Sequence, residues 1–139
     1  LTTLAGLAGA ACELQTETRC SPGTRRGLKV RASGDGREET LIYYDPSTRQ
    51  LVFDATRSGG AGRMVVERAP LELRPGETLK LRVFVDRSVV EVYANDRQAV
   101  ARRVYPVRSE SRRVILFTEG GATKFAKLKA WEIAPSNPY

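Results

Sequence analysis

Between Leu79 and Ala94 the chain alternates with a period of two: Leu81, Val83 and Val85 against Lys80, Arg82 and Phe84, then Val90 and Val92 against Glu91 and Tyr93. Such alternation sends successive side chains to opposite faces of an extended strand, which a helix cannot do. With a reversal at Asp86-Arg87-Ser88-Val89, Val85 meets Val90 and Val83 meets Val92. Leu81, Val83, Val85, Val90 and Val92 then share an aliphatic face that must be buried. Arg82, Phe84, Asp86, Val89, Glu91 and Tyr93 share the other.

The same pattern recurs along the chain. Ala11 to Thr18, Leu28 to Ala32, Thr40 to Tyr44, Gln50 to Ala55, Met64 to Arg68, Ala99 to Val104, Arg113 to Thr118 and Lys124 to Ile133 read as further strands, flanking the hairpin of Thr78 to Val85 and Val89 to Ala94. Turn residues separate them, among them Ser21-Pro22-Gly23, Asp45-Pro46-Ser47, Arg74-Pro75-Gly76 and Glu119-Gly120-Gly121. No helical stripe competes. Short strands joined by Gly- and Pro-rich turns predict an all-β domain, a β-sandwich of two antiparallel sheets. Thr40 to Tyr44 is apolar on both faces and is expected in mid-sheet with its outer side covered. Leu128 and Trp131 share a face only if the last strand bulges, which is expected near Lys129. Ser58 to Arg63, SGGAGR, lacks the Gly-Lys-Ser/Thr ending of a phosphate loop and reads as a connection.

The 139 residues, 41% hydrophobic and 28% charged, suit one globular domain. Residues 1–10 read as a lead-in or linker remnant and residues 11–139 as a single β-sandwich domain. The opening LTTLAGLAGAAC lacks a basic region and is too short to cross a bilayer, so no membrane partner is expected. The chain begins at Leu1 without Met and reads as a piece of a longer protein. A net charge of +7 favours acidic partners. Yet the pairs Arg25-Arg26, Arg102-Arg103 and Arg112-Arg113 are scattered, so nucleic acid is not expected. Cys12 and Cys20, on one strand, would stand about 26 Å apart at about 3.3 Å per residue, beyond disulfide reach. Free thiols follow. The absence of histidine removes Ser-His-Asp and Cys-His catalysis and the usual zinc ligands. No metal or cofactor is expected.

The run VDRSVVEVYAND from Val85 to Asp96, preceded by LKLRVF and followed by RVYP at Arg103 to Pro106, resembles the signature of the C-terminal β-sandwich domain of glycoside hydrolase family 32. Invertases, levanases, inulinases and related β-fructosidases make up that family. GLKVRAS at Gly27 to Ser33, ETLIYYD at Glu39 to Asp45 and FTEGGATKFAKLKAWEI at Phe117 to Ile133 extend the resemblance over nearly the whole chain. It implies a concanavalin A-like lectin or jelly-roll-related arrangement, and a catalytic five-bladed β-propeller lying N-terminal to this domain. The propeller's NDPNG-type, RDP and EC motifs do not occur here, so no catalytic residue is carried over. Asn95-Asp96-Arg97 stands where the family has Asn-Asp-Gly-Arg, and loss of that glycine leads one to expect a different turn geometry.

The outer face of the central hairpin holds the candidate site. Asp86 and Glu91, as diagonal neighbours about 7–8 Å apart, have the spacing of an inverting glycosidase pair. A structural role is favoured instead, with Asp86 bonding its own turn and Glu91 pairing with Arg82 or Arg87. Phe84, Asp86, Glu91 and Tyr93 are therefore expected to bind carbohydrate or to dock a neighbouring domain, and not to catalyse. The resulting expectation is a non-catalytic module that stabilises a propeller, with fructose-containing sugars and oligomer contacts as further partners. Two alternatives stand beside it: an independent fructan-binding module, and a basic domain for anionic polymers. Cytoplasmic and secreted bacterial locations both stay open.

Overall fold

A computed structural model describes residues 2–3, 11–20, 22–59, 65–121 and 123–132. In chain order the strands are β1 (Thr2–Thr3), β2 (Ala11–Cys20), β3 (Arg25–Ala32), β4 (Glu39–Asp45), β5 (Gln50–Arg57), β6 (Val66–Pro70), β7 (Leu79–Asp86), β8 (Val89–Ala94), β9 (Gln98–Arg103), β10 (Arg113–Glu119) and β11 (Thr123–Glu132). One sheet has six strands in the order β1-β10-β3-β4-β5-β6, the other five in the order β11-β2-β7-β8-β9. All pairings are antiparallel. The chain is an all-β sandwich, as expected. Met64, most of the SGGAGR connection and Ile133 lie outside the described residues.

The central hairpin has the register that alternation dictates, with Val85 opposite Val90 and Val83 opposite Val92. Val83, Val85 and Val90 are completely buried, as are Leu14 on β2, Leu28 and Val30 on β3, Ile42 on β4, and Leu51 and Phe53 on β5. These side chains fill the space between the sheets. Each contributes about 1.5–3 kcal/mol of hydrophobic stabilisation. Cys12 lies in the same layer as a free, buried thiol, and the Cys20 side chain falls outside the described set.

Strand β4 sits in the interior of its sheet, and its two tyrosines part company. Tyr44 joins the inter-sheet core, whereas Tyr43 packs on the outer side with Leu41, Val52 and Phe117. Arg25 and Lys29 roof this outer cluster, each 5.9 Å from a ring centroid, Arg25 over Tyr43 and Lys29 over Phe117. At the far edge, Glu67 of β6 pairs with Arg102 of β9, and Gln98 donates to the Pro70 carbonyl at 3.0 Å. These contacts join one sheet to the other. Pro70 lies on the edge strand β6, where its missing N–H costs no ladder bond.

One local expectation needs correction, and one turn shows how it manages without glycine. The bulge in β11 lies between Phe125 and Lys127, not near Lys129. It places Phe125 and Leu128 on the core side, opposite Thr18 and Thr16, while Trp131 stays on the outer side opposite Glu13. The Asn95-Asp96 turn, expected to depart from a glycine-bearing geometry, holds both residues at positive φ, 51° and 53°, and closes with the Arg97 N–H donating to the Ala94 carbonyl at 3.0 Å. Asn and Asp tolerate the left-handed region better than other non-glycine residues, so the turn proceeds without glycine.

Candidate functional site

Outward-facing residues of the five-stranded sheet fall into two rows that cross its strands. One runs Trp131, Glu13, Phe84, Glu91, Ala101; the next runs Lys129, Gln15, Arg82, Tyr93, Ala99. Each row is the product of cross-strand register, so residues 118 positions apart in sequence stand on one line. Within this surface Tyr93 and Trp131 are 40% and 44% exposed, high values for rings of their size. Phe84 is half-buried.

Fixed contacts order the centre of the face. The Arg82 guanidinium lies 4.9 Å from the centroid of Phe84 while its Nε donates to Glu13 at 3.1 Å. Tyr93 meets Phe84 edge-on and donates its hydroxyl proton to Glu91 at 3.1 Å. That hydrogen bond, followed by the Glu91 charge, pushes the Tyr93 phenol above its ordinary value. Asp86 forms a loose 3.7 Å pair with Arg87 in the hairpin turn. Glu91 is therefore held by Tyr93, and Arg82, one of its expected partners, is taken by Glu13.

The four sequence-predicted residues are thus together. Phe84, Asp86, Glu91 and Tyr93, with Arg82 and Asp96, line an open depression of about 470 Å³. The arrangement offers ring faces, three carboxylates and a stacked guanidinium, the groups with which proteins hold sugar hydroxyls and apolar sugar faces. Among the described residues no group of three or more potential ligands is placed to hold a metal ion.

Asn95 has a role that the sequence did not reveal. Its Oδ1 accepts from the Lys80 N–H at 2.8 Å, and its Nδ2 donates to the Thr78 carbonyl at 2.8 Å and to Glu77 at 3.2 Å. It ties the β8–β9 turn to the start of β7. A turn motif signals the bend but not which neighbouring strand its side chain will stitch.

Fold and surface define a lectin-like β-sandwich module. The model of the C-terminal domain of glycosyl hydrolases family 32 matches residues 1–132, and the chain belongs to that family. It is 36% identical over 146 residues to a levanase of Bacillus subtilis, covering 95% of this chain. It superposes on the exo-inulinase of Aspergillus awamori with a TM-score of 0.84 at 26% identity, covering 96% of this chain. A carbohydrate binding module, CBM66 from Bacillus subtilis, shares the fold at a TM-score of 0.63 and 12% identity, over 90% of this chain and 77% of that one. The chain spans only 21% of the levanase and 26% of the exo-inulinase.

Proposed function

We propose that the chain serves as the non-catalytic module of a β-fructofuranosidase-type hydrolase, and that the face bearing Phe84, Asp86, Glu91 and Tyr93 docks against the catalytic domain. The supporting observation is the exposure of Tyr93 and Trp131 on a sandwich whose core is otherwise filled. Large rings left open on one ordered face mark an interaction surface. Asp86 and Glu91 act there as rim charges that fix orientation. The test is a full-length enzyme carrying this chain with Tyr93→Ala and Trp131→Ala together. Thermal unfolding of its catalytic domain shifts to lower temperature if the face docks; an unchanged transition counts against docking.

A second reading gives the same depression to a fructan end. The likeness in fold to a carbohydrate binding module and the combination of rings, carboxylates and Arg82 support it. Calorimetry of the chain with levan and inulin oligosaccharides separates the readings. Saturable heat that Phe84→Ala removes favours sugar binding, and its absence leaves docking.

A further inference from the structure

A second concavity lies at one end of the sandwich, where the close of β2, the start of β3 and the connections after β4 and β6 converge. It encloses about 470 Å³ and draws Arg19, Arg26, Arg49 and Arg74 to one opening. Its acid, Glu77, is already engaged: Arg97 Nη2 donates to both carboxylate oxygens at 2.9 and 2.8 Å, and the Arg74 N–H adds a bond at 2.9 Å. Arg49 has one exposed partner, Glu72 at 3.5 Å. Arg19 and Arg74 pair with no carboxylate among the described residues.

Arg26 is the unusual member. It is only 4% exposed, lies 5.6 Å from the Tyr44 centroid, and donates from Nε to Thr18 Oγ1 at 3.0 Å and from Nη1 to the Thr24 carbonyl at 3.4 Å. Among the described residues no carboxylate pairs with it. A guanidinium withdrawn from water needs a counter-charge, and here it borders a concavity whose other cations crowd the same opening. Four guanidinium groups lining one opening, with its single acid already engaged by Arg97, give the concavity a positive potential that favours an anion. The planar donors of arginine match tetrahedral oxyanions in bidentate fashion.

We infer that this concavity is a binding site for a phosphate group, carried by a sugar phosphate or free in solution. Arg26 forms its floor, and Arg19, Arg49 and Arg74 close over the anion. The site stands apart from the Phe84 face and does not rest on the docking reading.

Calorimetric titration of the 139-residue chain at low ionic strength tests it, with inorganic phosphate, fructose 6-phosphate and fructose as probes. Saturable one-site binding of phosphate and fructose 6-phosphate is expected, weakening as salt rises, with no competition from fructose. Fructose 6-phosphate binding more tightly than phosphate identifies a phosphosugar site; equal affinities identify a site for the anion alone. Arg49→Gln with Arg74→Gln, both on surface turns, weakens binding by at least about tenfold. Arg87→Gln, at the opposite end of the five-stranded sheet, leaves it unchanged. Arg26→Lys retains the charge but loses the planar donors, and also binds more weakly. The proposal is overturned by absent heat with both phosphates, or by Arg87→Gln weakening binding as much as the double variant.

Discussion

The Tyr93 ring stands edge-on to Phe84 across the diagonal of the β7–β8 hairpin, with centroids 6.1 Å apart and planes at 88°. The positive edge of one ring meets the negative face of the other, a geometry worth about 0.5–1.5 kcal/mol beyond simple burial. Arg82 lies over the same Phe84 ring, so Phe84 is the keystone of the face and Tyr93 its exposed wing.

Phe84→Ala is therefore expected to lower stability by about 1–3 kcal/mol, below the ~3–5 kcal/mol of a fully buried phenylalanine. Tyr93→Ala should cost about 1 kcal/mol or less, since it forfeits the ring pair and little buried area. Urea unfolding of the two variants checks the order. A larger loss for Tyr93 than for Phe84 contradicts the ring packing described.

Acid should destabilise the fold through four carboxylates. Burial pushes the Glu38 carboxyl up, but hydrogen bonds from the Val107 and Arg108 N–H groups at 3.0 and 3.2 Å, with the neighbouring Ser111 hydroxyl and the Arg108 charge, outweigh it and hold the group below its ordinary value. Arg108 and Ser33 do the same for Asp35, Ser47 for Asp45, and the Arg74 N–H with Arg97 for Glu77. A depressed native pKa means that the unfolded chain binds protons first. Stability is then complete above the ordinary values of 3.8 and 4.5 and falls as pH drops through the native ones. Thermal unfolding between pH 7 and pH 2 should show that decline. Glu38→Gln, which weakens the tie to the 107–108 backbone, should cost about 1–3 kcal/mol at pH 7 and flatten the profile.

Cys12 should be inert in the native state. Burial, then the charge of Glu132, raises its thiol from 9.0 to about 11, against an opposing effect of Arg31. Only the thiolate reacts with disulfide reagents. In a Cys20→Ser background, labelling at pH 8 should wait for unfolding. Because the native pKa is raised, the associated stability is full below about pH 9 and is lost as pH rises toward about 11. Rapid labelling without denaturant would contradict this.

Gly27→Ala should be among the most damaging single changes in β3. A Cβ there would lie 1.9 Å from the Ile42 carbonyl oxygen and 2.7 Å from Tyr43 Cα, so backbone must move. A loss of at least about 2 kcal/mol is expected, read as a lowered urea midpoint.

How far the sequence reaches depends on whether a feature is local. The β7–β8 register was legible because five aliphatic residues allow only one pairing that buries them all, and that pairing also fixes the neighbours of Phe84, Asp86, Glu91 and Tyr93. Trp131 was legible as a ring but not as part of their row, because its position depends on β11 joining β2 and on a bulge with no sequence marker. The arginine cluster was illegible for the same reason. Arg19 lies at the end of β2, Arg26 at the start of β3, and Arg49 and Arg74 on two separate connections, and of the doubled arginines that stand out in the sequence only one contributes a member. Arg26 is half of one such pair, and only the fold separates its buried guanidinium from the solvent-facing Arg25.

The latch of Glu67 with Arg102 and of Gln98 with Pro70 brings the β6 and β9 edges together, which leaves β11 as the long edge on the other flank of the five-stranded sheet. A ten-residue edge strand is a template on which another chain can extend the sheet. Here the template is spoiled twice, by the Phe125–Lys127 bulge that interrupts its repeat and by Lys124, Lys127 and Lys129, which a flush second strand would have to desolvate. The irregularity that moved Trp131 off the core side thus also makes β11 a strand that can end a sheet without recruiting another.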